Sequence, residues 1–564
     1  DFEVQYYLGL ALASAGRPDA ARPHLESAQR FRATRLAATV QLARLLARAG
    51  DLQGALRQIE SAAAEAPRAT AIGGIEVSLL RRLGRVEQAR ERVRHWLAAD
   101  PASSLLRHES LAIGASEEGL WPHLAADANR VLDLVDHYLA IGADADALAL
   151  LERRYPRVDP PAREPGALTP QESPLIPYYR AFLRRHTGGS ADGDYREARA
   201  LATAYVFPNR RSSYDVLRAA VTAKRDDGTA RFLLGSQYLA SGLVEPAVAE
   251  WQEVRRSGAA IPTLHRSLAL ALLHGPAFAP STLRRGKSAD MTEARRVLEE
   301  GTTADPENVE VYLALDGVLS ATDAAPRERV AVLRRFPVPD RMPSSMVFRH
   351  ALALAESGDA AGAERLFHDR FFPREEGGTS VRTVYAQVRV TSARVAAGNG
   401  RCPVALDMLD ALPRERQELS FTAGGLADAL ASPAMVRQVA AIESACGRVA
   451  SARARWERLA RPLTAGGAPM AVAIADEARQ RLGKVRTADQ RRRLEAAIEA
   501  ATRTLDSAAT TSPGLLELAR ASLLAAVGRH DAALESRRQV FLYPDRGLSH
   551  ALARAWFPPK EVRR

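Results

Sequence analysis

Residues 6–28 read YYLGLALASAGRPDAARPHLESA, residues 40–62 VQLARLLARAGDLQGALRQIESA and residues 75–97 IEVSLLRRLGRVEQARERVRHWL. The three stretches share one register. Gly16, Gly50 and Gly84 are spaced by 34 residues, as are Ala21, Ala55 and Ala89, and also Leu25, Ile59 and Val93; Pro67 and Pro101 keep the same step. On both sides of each Gly, apolar residues recur at intervals of three and four, which places them on one face of a helix. Each unit therefore reads as two amphipathic helices joined at the Gly, which supplies the left-handed backbone that a helix end commonly takes. The Ala that follows lets the two helices approach closely, and Pro67 and Pro101 stop the second helix.

A 34-residue helix–turn–helix with this Leu/Gly/Ala/Pro spacing resembles the tetratricopeptide repeat. Further copies surround Gly142 with Ala147 and Gly242 with Ala247; residues 264–273 pair with 293–306 across a longer loop. Later copies centre on Gly358 with Ala363, on Ala405, on Gly447 with Ala452 and on Gly528 with Ala533. The expected fold is all-α, a tetratricopeptide-repeat superhelix (α-solenoid) of about eleven units. The stretch from Pro156 to Pro177 holds too much Pro for a helix. The expected organisation is thus an N-terminal block 1–157, a Pro-rich linker 158–173, a central block 174–420 and a C-terminal helical block 421–564. A second break is expected from Pro413 to Pro433, and residues 468–511 read as helical but out of register.

Composition agrees. Hydrophobic residues make up 46% and charged residues 26%, so the chain can bury a core, while 6% aromatics and an excess of Ala and Leu argue against an all-β fold. The net charge of +11 rests on Arg: of 78 basic residues only Lys224, Lys287, Lys484 and Lys560 are lysine. A GC-rich coding sequence produces that skew by itself, so nucleic acid is not expected as a partner. No apolar run reaches the length of a membrane span. A chain that opens on Asp1 is expected to be a processed product or a fragment, which leaves the compartment open, with the cytoplasm as default.

Catalytic motifs fail on inspection. Gly286-Lys287-Ser288 lacks the Gly that a phosphate loop needs five positions before Gly286, where Ser281 stands. His108-Glu109 continues as Ser110, Leu111 and Ala112, without the second His of a zinc helix. Glu299-Glu300 and Glu375-Glu376 read as solvated faces, and Trp96, Trp251 and Trp456 as core. Cys402 and Cys446 fall in neighbouring repeats and read as two small hydrophobes, with a disulfide as the second reading. No enzyme activity, cofactor or metal is expected.

What remains is the concave surface, lined by the first helix of each unit. There the register places Arg44, Arg48, Arg81 and Arg82, which suit the carboxylates of a protein or peptide partner, acidic in character if these arginines receive it.

A closer resemblance rests on YVFPNRRSSYDVLRAAV (205–221) followed by DDGTARFLLGSQYLASGLVEPAVAEW (226–251). These are similar to a bacterial family of large tetratricopeptide proteins with an N-terminal β-rich domain of unknown function, whose F-P-x-R element corresponds to Phe207, Pro208, Asn209 and Arg210. VEVYLALDGVL carries Asp316 where Gly is usual, and LFHDRFFPREEGGTSV (366–381) matches R-F-x-P followed by E-G-G, with Glu375 in place of the usual Trp. The resemblance implies the C-terminal repeat portion of a longer protein. The expected function is a non-catalytic scaffold binding a peptide or protein in its groove. The alternatives are an accessory module of a larger carbohydrate-handling protein, and an RNA-binding helical repeat whose affinity would collapse with salt.

Overall fold

The small residues of the repeat are its contact points: Ala21, Ala55 and Ala89 are fully buried, with Leu25, Ile59 and Val93 beside them. Gly16, Gly50 and Gly84 take φ of 70°, 89° and 76°, a region that strains any L side chain. Hairpins follow from these two requirements. The structure, a computed structural model, describes residues 2–159, 164–274, 291–372, 381–412, 426–461, 468–507, 512–543 and 548–557. Among the described residues there is no strand; the chain is an all-α array of tetratricopeptide-type hairpins. Gly286-Lys287-Ser288, Glu375-Glu376 and residues 413–425 of the second break lie outside the described residues.

Two compact units divide the chain, residues 1–237 and 238–564. The first runs α1 (Phe2–Ser14), α2 (Pro18–Ala28), α3 (Arg35–Arg48), α4 (Leu52–Glu65), α5 (Thr70–Arg82), α6 (Val86–Ala99), α7 (Ser104–Ala112), α8 (Leu120–Ala125), α9 (Ala128–Ala140), α10 (Asp144–Glu152), α11 (Leu175–His186), α12 (Asp192–Ala200) and α13 (Arg211–Ala223). The division falls within α14 (Gly228–Ala240). The second continues with α15 (Val244–Ser257), α16 (Leu264–His274), α17 (Met291–Ala304), α18 (Val309–Ala321), α19 (Pro326–Leu333), α20 (Ser344–Ser357), α21 (Ala360–Arg365), α22 (Val381–Gly398) and α23 (Cys402–Ala411). It ends with α24 (Leu426–Ala431), α25 (Pro433–Ala445), α26 (Val449–Leu459), α27 (Pro469–Arg481), α28 (Ala488–Asp506), α29 (Pro513–Ala526), α30 (His530–Leu542) and α31 (Leu548–Trp556).

The N-terminal unit continues across the Pro-rich stretch. Helix α10 packs on α11, where Arg180 donates to the Leu151 carbonyl at 3.3 Å and Arg184 pairs with Glu152 at 2.8 Å. The stretch itself is tied down, since the Ala128 amide at the start of α9 donates to the Leu168 carbonyl at 2.7 Å. Trp96, Trp251 and Trp456 are buried, as their second-helix positions require.

The C-terminal unit closes on itself. Helix α30 packs on α18 and α31 on α22. Gly317 makes the first contact possible, because a Cβ there would stand 2.6 Å from the Phe541 carbonyl oxygen. Residues 549–554 of α31 are all buried.

One sequence expectation is corrected. Cys402 and Cys446 are not two separate small hydrophobes; they form a disulfide. Stacked hairpin turns bring their Cα atoms to 5.2 Å, within the span a bridge needs.

Candidate functional site

The four arginines singled out from the repeat register lie on α3 and α5, and the structure brings them to one region. Arg81 and Arg82 stand in the last turn of α5. Arg81 Nε donates to Glu109 Oε2 at 2.7 Å, one of its Nη groups donates to Oε1 at 3.1 Å, and it pairs with Asp146 at 3.1 Å. Arg82 donates to the carbonyls of Ile141 and Gly142 at 2.8 and 3.1 Å. These belong to the C-terminal end of α9, where helix carbonyls lack partners and the dipole is negative. Both guanidiniums are therefore engaged by this chain's own α7, α9 and α10. The register could not show it, because Glu109 and Asp146 lie outside the three aligned stretches.

Arg44 and Arg48 differ. Arg48 is exposed, and the turn after α9 comes so near that a Cβ on Gly142 would stand 3.1 Å from its Cα. Arg44, one turn earlier, is half-buried with its Nε lacking any hydrogen-bond partner. Burial lowers its pKa against the opposing charge of Asp136 on α9. A buried donor left unmatched in this way is costly to the fold.

Behind this surface lies a polar cluster that sequence reasoning passed over. Glu109 is fully buried and, besides Arg81, accepts from Ser78 Oγ at 2.8 Å and Tyr138 Oη at 2.7 Å. Tyr138 Oη in turn meets His108 Nδ1 at 2.7 Å, and Ser78 Oγ lies 3.4 Å from His137 Nε2. Burial opposes the Glu109 charge, but the bonds and charge of Arg81 hold its carboxyl below the usual range. Burial pulls His137 down to about 4, so it is neutral at pH 7. Serine, histidine and carboxylate are together, yet the carboxylate bonds the serine rather than the histidine, and Ser78 is fully buried. A nucleophile needs its base oriented by the carboxylate and a path for substrate; this cluster ties helices together.

A second ionic cluster sits in the C-terminal unit. Asp316, wholly buried, accepts from Arg329 at 2.7 and 3.2 Å and from Arg349 at 3.0 Å. Glu356 accepts from Arg329 at 2.5 Å and pairs with Arg554 of α31 at 2.7 Å, while Arg349 also meets His550 of α31. Burial acts against the Asp316 charge, and the two arginines nonetheless hold its carboxyl at about 2. The signal was present in VEVYLALDGVL, where Asp316 interrupts an apolar run in the middle of the helix. The F-P-N-R element has an equally structural Arg: Arg210 donates to Asp133 at 3.0 and 2.6 Å and to the Asn129 carbonyl at 3.0 Å, fastening the start of α13 to α9. Phe207 beside it is exposed.

Among the described residues no cluster of three or more His, Cys, Asp or Glu is placed to hold a metal, and no helix is long and apolar enough to cross a membrane. No protein-family model matches the chain, and no curated protein matches its sequence. Among solved structures, the tetratricopeptide-repeat domain of P58(IPK) aligns with 73% of this chain and 98% of its own, at 16% identity and a TM-score of 0.20. Yeast Tom70 aligns over 95% and 99%, at 12% identity and 0.25. A chain of the Naa15/Naa10 complex bound to HypK-THB aligns over 100% and 85%, at 13% identity and 0.24. Likenesses at these scores carry no argument, and the repeat assignment rests on the hairpins themselves.

Proposed function

We propose that the chain is a non-catalytic protein-interaction scaffold whose N-terminal unit receives an acidic peptide segment of a partner at Arg44 and Arg48. The observation that supports this reading is the unmatched Nε of Arg44, one turn from an exposed Arg48 on the same helix. Arg81 and Arg82 back that surface by fixing α5 against α7, α9 and α10. The likeness to the bacterial family with a β-rich domain belongs to the same proposal, and makes the chain the repeat portion of a longer scaffold.

Magnitudes assign the roles. An exposed pair at Arg48 contributes about 0–1 kcal/mol, whereas a desolvated charged bond at Arg44 contributes about 1.5–3 kcal/mol. Arg44→Gln should therefore weaken binding of a Glu/Asp-rich peptide roughly 10- to 150-fold by calorimetric titration, and Arg48→Glu only several-fold. Arg296→Glu, on the second helix α17 of the other unit, should change little. Unaltered affinity in Arg44→Gln removes the site; an equal loss in Arg296→Glu reduces it to bulk charge.

A further inference from the structure

Both cysteines of the chain flank left-handed turn glycines of successive hairpins. Cys402 opens α23, two residues after Gly400, and Cys446 follows α25 immediately before Gly447. Stacking of these hairpins lays the turns side by side, and the bond between the cysteines joins one to the next. A second tie runs beside it: Arg448 forks onto Asp410 of α23 at 2.7 and 2.6 Å. The reinforcement falls on a thinly packed helix, since Ala405 is the one buried residue among the ten of α23. An exposed ion pair adds little to a docked helix, so the covalent link is the stronger of the two ties.

Both residues are half-buried, and the Cys402 sulfur lies in an exposed setting. An accessible pair of this kind is reduced by the thiol pool of a reducing compartment and persists in an oxidising one. We propose that Cys402 and Cys446 are an oxidative modification site, closed in an oxidising compartment where this chain works, and that the bond holds α23 in the array. This replaces the cytoplasmic default of the sequence reading and is independent of the peptide site. In the closing reaction the Cys402 and Cys446 thiols give up two protons and two electrons as the S–S bond forms. A donor disulfide, of an oxidoreductase or a small molecule, accepts them and leaves as two thiols; one cysteine thiolate attacks it, and the other then resolves the mixed disulfide.

The test is thiol trapping on the full chain in its source cells, with acid quenching, denaturation and alkylation by a polyethylene-glycol maleimide before and after reduction. The expected result is no adduct before reduction and two after it, on protein recovered outside the cytosolic fraction. Adducts before reduction, or oxidised chain in the cytosolic fraction, overturn the compartment. Hydrogen exchange reads the structural role: reduction, or Cys402→Ser with Cys446→Ser, should speed amide exchange in α23 roughly tenfold or more and leave α3 unaffected. Unchanged exchange in α23 overturns the staple.

Discussion

Single buried charges decide how far side chains can be reassigned in this molecule. Glu109 and Asp316 are both removed from water, and each is matched by arginines from neighbouring helices. Glu109 was legible only as half of a failed zinc motif, because what makes it important is the arrival of Ser78, Arg81 and Tyr138 from other helices. The histidines give a measurable consequence. Burial lowers both His137 and His350 to about 4, and neither ring nitrogen of His350 has a hydrogen-bond partner. Above pH 7 both are neutral whether folded or unfolded, and contribute no pH dependence. As pH falls below the unfolded value of about 6.5, the unfolded chain binds protons that the folded chain refuses, so stability drops until about pH 4. The loss is at most about 3 kcal/mol for each histidine, and His350→Phe should remove its share. Urea midpoints at pH 7.5 and 5 for the parent and His350→Phe would show it; an identical fall in both means that His350 has no part.

At the scale of the helix pair the sequence is most transparent. A 34-residue period fixes which face of each helix is apolar, where the turn lies and which Ala meets the neighbouring helix, and Ala21, Ala55 and Ala89 are buried accordingly. Ala89→Leu should therefore overpack α6 and cost about 1–3 kcal/mol, read as a lower melting temperature of the full chain. A tolerated Leu there would mean the hairpin contact has been misjudged. Less was legible in the arginines. Periodicity predicts the helix face on which Arg81 and Arg82 stand, but not that Glu109, Asp146 and the carbonyl end of α9 come to meet them. Those contacts depend on how tightly successive hairpins wind, which the spacing within one hairpin does not encode.

At the scale of the C-terminal unit, the contacts hardest to read are those that join its distant parts. Arg537 and Asp323 are 214 residues apart, and Arg349 and His550 201. An array in which each hairpin meets only its neighbours would have stability that sums local interfaces; these contacts add a term across the array and make the unit unfold cooperatively. One turn residue takes part in the closure. Asp323 stands in the turn between α18 and α19 at φ 59°, where other hairpin turns carry Gly. An L-residue there costs about 1 kcal/mol or more, and its carboxylate is what the position gains: it pairs with the buried Arg537 at 2.5 and 3.2 Å. Asp323→Gly relieves the backbone by about 1 kcal/mol and strands Arg537. Stranding a fully buried ion costs about 3–5 kcal/mol, reduced here to roughly 2 because Asp323 itself is partly exposed. Asp323→Gly should therefore lower stability by about 1 kcal/mol and Asp323→Asn, which keeps the strained backbone, by about 2 kcal/mol. Adding Arg537→Met to Asp323→Gly should restore most of the loss, because no unmatched charge remains. If Asp323→Gly instead raises the urea midpoint and Arg537→Met is neutral, the closure adds nothing and neighbour stacking alone holds the unit.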